Sequence, residues 1–583
     1  MPAQRQRSAH RRKKAARKFD VRRATQHTYS NRIFYVGVRF VLTAFAGLCI
    51  YASYEPNGLW FAAPVGIALV IVALQPWGSR SSAPGPWLGA FIAFTQALVT
   101  YLFYLPWVGE YVGSVPWIAL SIVEALYSLL FGAGAVFLLC AARTGGRKNS
   151  RLTAYELLFS VIGVPLWYLA IEYARSHWPF GGFAWTRLAW GQVSGPLLSF
   201  ARFGGPALVT VATVVMGIGF SLLVRRLWVP GLAIILVIPG IAGAAWTQIH
   251  AGPQPSAERI DSFAAPTMSR RSGKAMTQSS ETEVTVAVIQ GNVPRLGLTF
   301  NEQQRAVLAN HRDATLALAR RIGDHVSPKP DFVVWPENSS DVDPFIDSLA
   351  EDEIQKAAQA VGAPIILGTL TYPHGQQRNT VVVWDPDTGP GERHDKVYLQ
   401  PFGEYMPWRS FFRHFSAYVD MVGDFTPGDD NGVVHVRSGT TNSLVSVGVE
   451  TCYEVAFDEA FQHAIKGGAQ IFSVPTNNAT FGFTDMSYQQ LAMSRLRSVE
   501  YDRATVVAAT SGISAIIRPN GQVSERTQMF TEGILHAQLP LRATRTVASY
   551  SAPVVEWTMC GLGVGLLLGA SVSLRLAKRV KSK

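Results

Sequence analysis

Three polar residues stand at or near the ends of apolar, strand-like runs, where loops can present them to a substrate. Glu337 closes VVWPE, Lys396 lies in RHDKVYLQPFGEYMP, and Cys452 follows LVSVGVET just before a helical stretch that starts near Val455. A cysteine at a strand-to-helix turn gains from the positive end of the helix, which favours its thiolate. A carboxylate such as Glu337 takes the thiol proton, and an ammonium such as Lys396 holds the oxyanion of a tetrahedral intermediate. Together they would perform covalent acyl chemistry. Spacing alone does not show that the three meet. Each also has a plain structural reading: a small buried thiol, a helix-capping carboxylate, a solvated loop lysine.

The elements that must position them are those of an α/β domain running from Glu283 to about Ser549. Strand-like runs occur at 284–290, 331–336, 363–370, 380–385, 444–451, 471–476 and 505–510, with helical patterns near 303–322, 344–360, 456–467 and 487–502. The runs are continuous and β-branched rather than alternating, so they are expected to be buried on both faces. Cys49, Cys140 and Cys560 fall in long apolar runs, and four cysteines are too few for a disulfide framework. The histidines show no metal-ligand spacing.

The remainder of the 583 residues has another character. The chain is 48% hydrophobic and only 16% charged, with a mean hydropathy of +0.15. That balance excludes a disordered regulator and an entirely soluble enzyme of this length. Between residues 33 and 247 the only acids are Glu55, Glu110, Glu124, Glu156 and Glu172. Crossing a hydrocarbon core takes about 20 apolar residues. Seven such stretches are read before residue 250 (34–54, 59–76, 87–107, 114–141, 155–174, 201–224 and 228–247) and an eighth at 554–574. The second is short, and the first contains Arg39, which is expected to snorkel toward the basic arm.

Charge fixes the expected orientation. Residues 1–32 carry eleven Lys and Arg against one acid, Asp20, so +10 of the net +12 sits in this arm. Arg143, Arg147, Lys148 and Arg151 follow span four, Arg225 and Arg226 follow span six, and Arg575, Lys578, Arg579, Lys581 and Lys583 follow span eight. By the positive-inside rule all four clusters are cytoplasmic, which puts both termini inside and the α/β domain outside. The arm is read as a membrane-flanking anchor rather than a nucleic-acid tail. It does not precede a cleavable signal, because the following apolar run is too long. The expected domains are a basic arm (1–32), a seven-span membrane domain (33–249), a linker rich in Pro, Ser, Ala and Gly (250–282), the α/β domain (283–549), an eighth span (550–574) and a basic tail (575–583).

In this order, VVWPEN, HDKVYLQPFGEYMP and ETCYE resemble the Glu–Lys–Cys motifs of the nitrilase superfamily. With VIQGNVP at 288–294, TNNATFG at 476–482, QQLAMSRLRSVEYDR at 489–503 and TSGISAIIRPNG at 510–521, the whole chain resembles that superfamily's membrane-embedded branch, the apolipoprotein N-acyltransferase family. The resemblance implies a multi-span helical domain joined to an αββα sandwich. It implies transfer of an acyl chain from a phospholipid, through a cysteine thioester, to the amino group of a diacylglyceryl-modified apolipoprotein cysteine. No metal or cofactor is called for.

Carried over by motif, Cys452 is the nucleophile, Glu337 the general base and Lys396 the oxyanion group. Glu404 in PFGEY matches the family's second glutamate, and Tyr453 and Glu454 match the two residues that support the nucleophile. A long acyl chain has to stay in an apolar groove, since each CH₂ moved into water costs roughly 0.8 kcal/mol. Candidate groove residues are Phe402, Tyr405 and Trp408, in an aromatic segment (402–421) that includes Phe415 and Tyr418, and Trp185 in WPFGGFAW (178–185). The alternatives are packing on the domain itself and an interfacial aromatic belt. Four positions depart from the family wording. Phe300 stands near where the family often has tryptophan, Asn478 and Thr480 replace an acid and a tryptophan, and Thr451 replaces an aliphatic residue. Phe300 and Asn478 are also read as substrate-binding positions. The QGNVPRLGL wording and the basic arm resemble actinobacterial members, some of which are joined or paired with a polyprenyl-phosphate mannose synthase. That leaves two rival functions: a membrane-tethered nitrilase-type amidohydrolase, and a membrane scaffold for such a synthase.

Overall fold

The computed structural model describes residues 33–77, 83–144, 152–250, 282–293, 300–414 and 417–581. The basic arm, Arg147, Lys148, Arg151, almost all of the 250–282 linker, Phe415 and Lys583 therefore lie outside the described residues. So does the Tyr418 side chain.

Among the described residues, seven helices are long and apolar enough to cross a membrane: α1 (Ile33–Tyr51), α3 (Pro86–Tyr104), α4 (Ser114–Ala141), α5 (Glu156–His177), α6 (Pro196–Val224), α7 (Trp228–Thr247) and α13 (Val547–Val580). Between the first two sits α2 (Ala62–Ala73). At 1.5 Å per residue it extends about 18 Å, well short of the roughly 30 Å core. The short second run is thus a helix, though a shorter one than its apolar stretch suggests. Arg39 departs from expectation. It does not snorkel: Arg39 is buried within α1. Its guanidinium donates to the carbonyls of Ala73 and Gln75 at the end of α2 and lies 4.4 Å from the Trp77 ring. The free carbonyls of a helix C-terminus solvate the cation where water cannot.

The α/β domain has twelve strands in two six-stranded sheets. One has the order β12-β1-β2-β3-β4-β5 and the other β11-β10-β9-β8-β7-β6. The first comprises β1 (Glu283–Gln290), β2 (Phe332–Val334), β3 (Ile365–Thr371), β4 (Arg378–Asp385), β5 (Gly389–Asp395) and β12 (Gly533–Pro540). The second comprises β6 (Val433–Arg437), β7 (Leu444–Val449), β8 (Ile471–Thr476), β9 (Thr505–Ala509), β10 (Ala515–Ile517) and β11 (Val523–Arg526). The central strands β1, β2 and β3 are parallel, as are β7, β8 and β9.

Period-two packing builds the layers. Val284, Val286, Val288 and Val334 meet Val434, Val447, Ile471 and Val506 between the sheets. On the other face of the first sheet, Ala287, Ile289 and Trp335 pack on α8 (Phe300–Gly323) and α9 (Ser348–Val361). The second sheet turns Phe472 and Val474 outward toward α11 (Asp458–Lys466) and α12 (Met486–Tyr501), in a core shared with the membrane helices. These are the four layers of an αββα sandwich, with strands buried on both faces.

Helix α12 is both the outer layer of the sandwich and the seat of the membrane domain. Gln489 Oε1 accepts from the indoles of Trp107 (3.0 Å) and Trp185 (2.8 Å), and its amide donates to the Tyr104 carbonyl at 2.9 Å. Further along, Arg497 pairs with Asp458 and Glu500, both at 2.7 Å, and Arg187 pairs with Asp458 at 2.7 Å and with Glu556 of α13. Glycine is required where α6 meets this helix. Gly205 has φ +61°, and a Cβ there would lie 2.7 Å from Glu500 Oε1.

Candidate active site

Loops at the ends of three strands carry the candidate triad. Glu337 leaves β2 through Trp335–Pro336, and Gly368 on β3 lets that loop lie close: a Cβ there would sit 2.6 Å from the Glu337 Cα. Lys396 follows β5, and its backbone N–H donates to the Asn379 carbonyl at 2.8 Å. Cys452 opens a short 3-10 turn (Cys452–Ala456) after β7 and has φ +53°, a left-handed conformation that costs a non-glycine residue free energy. All three are nearly sealed, with relative exposures of 4%, 3% and 6%.

They converge. Lys396 Nζ donates to Glu337 Oε1 at 3.1 Å and to Glu404 Oε1 at 2.8 Å. The Cys452 thiol lies within the electrostatic reach of Glu337, Lys396 and Glu404. Burial disfavours the lysine's charge, but Glu337 and then Glu404 outweigh it, lifting Lys396 well above its ordinary value. The ammonium is permanent at any physiological pH.

For the candidate nucleophile, the helix terminus gives the thiolate less help than its place in the sequence suggests. The helix dipole is that of a five-residue turn, and desolvation overrides it. Burial first and the Glu337 carboxylate second push the Cys452 thiol up to about 12, with Lys396 opposing. The resting group is a neutral thiol, which needs a base to react.

The supporting residues hold this arrangement from below. Glu404 Oε2 accepts the Gln400 backbone N–H at 2.7 Å, which aims its other oxygen at the lysine. Glu454 is buried, accepting N–H groups from Val397 and Tyr398 on one oxygen and from Thr451 on the other. Tyr453 stacks on Trp185 with centroids 6.2 Å apart and donates its hydroxyl to the Gly182 carbonyl at 3.4 Å.

Two residues that the sequence did not reveal complete the site. Asn379 Nδ2 donates to Glu337 Oε1 at 2.7 Å and Glu404 Oε1 at 3.1 Å, bracing the two carboxylates opposite the lysine. The Asn477 backbone N–H donates to Glu337 Oε2 at 2.8 Å. Glu337 is thereby fixed through both oxygens.

The candidate substrate-binding residues divide into two groups. Phe402 and Trp408 are 47% and 67% exposed, and both meet Phe180 of the 178–185 stretch edge to face, with centroids 6.2 and 4.9 Å apart. The two aromatic segments singled out in the sequence therefore face one another. Tyr405 is half-buried and pins the loop by accepting the Phe402 N–H at 2.8 Å. Trp185 and Asn478 are buried instead. The first backs Tyr453, and the second donates to Gln490 Oε1 at 3.0 Å. Phe300 begins α8, and its side chain lies outside the described residues.

Residues 46–219 match the family model of the apolipoprotein N-acyltransferase N-terminal domain, and residues 285–549 match that of carbon-nitrogen hydrolase. Among relatives, an apolipoprotein N-acyltransferase of Mycolicibacterium smegmatis is 41% identical over 90% of this chain and 83% of its own length. One from Pseudomonas paraeruginosa is 26% identical over 92% and 96%. Of solved structures, an amidase from Nesterenkonia sp. is 19% identical, covering 46% of this chain and 94% of its own, with a TM-score of 0.32. Saccharomyces cerevisiae Nit3 is 18% identical, covering 47% and 95%, with a TM-score of 0.32. A membrane helical domain fused to a carbon-nitrogen hydrolase sandwich, and 41% identity across nine-tenths of the chain, make this protein a member of the apolipoprotein N-acyltransferase family.

Proposed function

We propose that this protein N-acylates lipoproteins through an acyl-enzyme on Cys452. Glu337 removes the thiol proton, and the sulfur attacks an ester carbonyl of a phospholipid. Lys396 carries the oxyanion charge, the ester C–O bond breaks, and the lysophospholipid leaves with the proton from Glu337. The free amine of a diacylglyceryl-cysteine then attacks the thioester, Glu337 takes its proton, and Cys452 is regenerated as a thiol beside an N-acyl product. The observation that carries this reading is the Lys396 ammonium, held at 3.1 and 2.8 Å between Glu337 and Glu404 beside a buried neutral thiol. A strong fixed charge in a dry site is what an oxyanion requires.

Support for the orientation comes from the two ends of the helices. Arg143, Arg225 and Arg226, and then Arg575, Lys578 and Arg579, lie at the carboxyl ends of α4, α6 and α13. The contacts with the sandwich lie toward the opposite ends, at Gly205 of α6 and Glu556 of α13. The positive-inside rule then puts the termini in the cytoplasm and the sandwich outside, facing exported substrates. The paired aromatic segments around Phe180, Phe402 and Trp408 support a lipid-handling entrance. The expected mannose synthase partner finds no support in the relatives compared above.

Purified protein incubated with phospholipid alone should gain one acyl mass on the Cys452 peptide, removable by neutral hydroxylamine. A diacylated lipopeptide with a free amine should discharge it and become triacylated, and Cys452→Ala should do neither. Discharge by water alone would favour the amidohydrolase. N-acylation by Cys452→Ala would remove this cysteine as the nucleophile.

A further inference from the structure

A buried amide holds the backbone carbonyl of Cys452 itself. Gln490, on α12, is 1% exposed, and its Nε2 donates to the carbonyl of Cys452 at 3.0 Å. Its Oε1 accepts two hydrogen bonds, from Asn478 Nδ2 at 3.0 Å and from the hydroxyl of Thr476 at 3.1 Å. Thr476 ends β8, the strand beside β7, and is fully buried. The Cys452 thiol lies within the reach of the same hydroxyl, which eases its ionisation. The next residue, Asn477, gives its backbone N–H to Glu337. One hydroxyl proton thus has two acceptors within reach: an amide oxygen and the reacting sulfur.

A neutral thiol needs no donor, and in that state the Thr476 proton rests on Gln490. Once Glu337 has taken the thiol proton, the sulfur carries a full charge in a nearly dry pocket. A hydrogen bond donated to a charged form favours that form. Resting on the reading of Cys452 as nucleophile, we infer that Thr476 is a further catalytic residue. Its hydroxyl turns from Gln490 Oε1 to the Cys452 sulfur as the thiolate forms, and Gln490 is the positioning residue that holds both the hydroxyl and the left-handed Cys452 backbone. The turn transfers no proton. The thiol proton is on Glu337, the hydroxyl keeps its own, and Gln490 Oε1 retains the bond from Asn478. The hydroxyl returns to Gln490 when the sulfur becomes a thioester and loses its charge.

This accounts for a threonine buried at the end of a strand, where valine would fill the same volume. It also gives Asn478 a task within the site: it keeps Gln490 satisfied while the hydroxyl is away. Gln490 would otherwise be left with an unpaired buried oxygen, which is costly.

The test uses full-length protein in detergent and the variants Thr476→Val, Thr476→Ser and Thr476→Ala. Carbamidomethylation of Cys452 by iodoacetamide, followed by peptide mass across pH 7–11, reads thiolate availability without any lipid. Acyl-enzyme formation from a diacyl phosphoethanolamine lipid in micelles reads the reaction. Thr476→Val should lower both rates about tenfold or more, from the loss of a hydrogen bond to a charged group. It should displace the alkylation profile upward by about one pH unit and leave KM for the lipid within twofold. Thr476→Ser should restore both rates to within about threefold of wild type. A Thr476→Val profile that superimposes on wild type, or a serine variant as slow as valine, overturns the assignment. If the valine variant shows no melting transition, Thr476→Ala is judged by the same criteria. Failure of the underlying reading looks different: wild-type Cys452 would then alkylate but never carry an acyl mass.

Discussion

Glu454 Oε1 lies 2.8 Å from the backbone nitrogen of Val397, the residue after Lys396. The same oxygen receives Tyr398 N–H at 2.9 Å, and the other takes Thr451 N–H at 2.7 Å. One carboxylate two residues past the nucleophile therefore ties the turn that carries Cys452 to the segment that carries Lys396. Glu454→Ala would orphan three N–H groups, that of Thr451 buried and those of Val397 and Tyr398 partly so, and the buried one alone costs about 1–3 kcal/mol. A lower melting temperature and slower acyl-enzyme formation are expected. Glu454→Gln keeps one acceptor oxygen and should fall between alanine and wild type in both. Equal behaviour of the two variants would mean that the carboxylate does not hold the segment.

Lys396→Met removes the ammonium while keeping most of the side chain's volume. Loss of one preorganised oxyanion donor lowers turnover by about 10²–10³. The variant also leaves Glu337 and Glu404 facing each other with only Asn379 between them. One of the two carboxyls should then hold its proton to higher pH, and the acidic limb of the rate profile should move upward. Near-normal turnover in folded Lys396→Met would count against the oxyanion assignment.

Much of this site is legible in sequence because its chemistry is written in short words. WPE, HDK and CYE each put a reactive residue close to a strand end, and β-branched runs mark β2 and β7, which carry the first and the last. Asn379 is not legible. Its partners, Glu337 and Glu404, lie 42 and 25 residues away, and only the pairing of β3, β4 and β5 brings it between them. Five strands, β5, β6, β10, β11 and β12, are absent from the sequence reading; of these GPGERHD of β5 and VSER of β11 are polar and exposed at sheet edges, so they carry no apolar run. The place of Arg39 and the upward push on the Cys452 thiol are not legible because burial decides both. Burial depends on what α2 and Glu337 do, not on adjacent residues.

Asp458 sits between two arginines, Arg187 from the membrane domain and Arg497 from α12, each at 2.7 Å. Burial disfavours its charge, but Arg187 and then Arg497 outweigh it and hold the carboxyl far below the usual range. Arg497 also donates to the carbonyls of Val455 and Ala456, in the turn that begins at Cys452. Asp458→Asn removes the negative charge shared by both cations. Breaking a buried ionic partner in this way typically costs about 3–5 kcal/mol. Because the aspartate's pKa is depressed in the folded state, its stabilising contribution is present above pH 4 and is lost as pH falls through the folded value. The stability gap between wild type and Asp458→Asn should therefore be wide at pH 7 and narrow in strong acid. A gap that does not change with pH would mean that the loss comes from packing rather than charge.

Glu337 is expected to act on Cys452 in two opposing ways, and one substitution separates them. In the proposed reaction its carboxylate is the base that removes the thiol proton, so Glu337→Gln should slow acyl-enzyme formation at neutral pH by at least about 10², the lower range for general-base catalysis. The same negative charge is the second cause, after burial, of a thiol pushed up to about 12. Removing it leaves Lys396 as the dominant neighbour, so the thiolate becomes easier to form by direct ionisation. At pH 10, hydroxide rather than Glu337 supplies the base for a small neutral alkylating agent. Glu337→Gln should therefore react faster than wild type with iodoacetamide at pH 10 while being far slower in acyl transfer at pH 7.5. Glutamine keeps Glu337's size and one acceptor for Asn379 and Lys396, so the contrast does not arise from collapse of the loop. Iodoacetamide rates and single-turnover acylation rates on the same preparation decide the matter. If both fall together, Glu337 mainly holds the site's geometry. If neither falls, another group removes the proton.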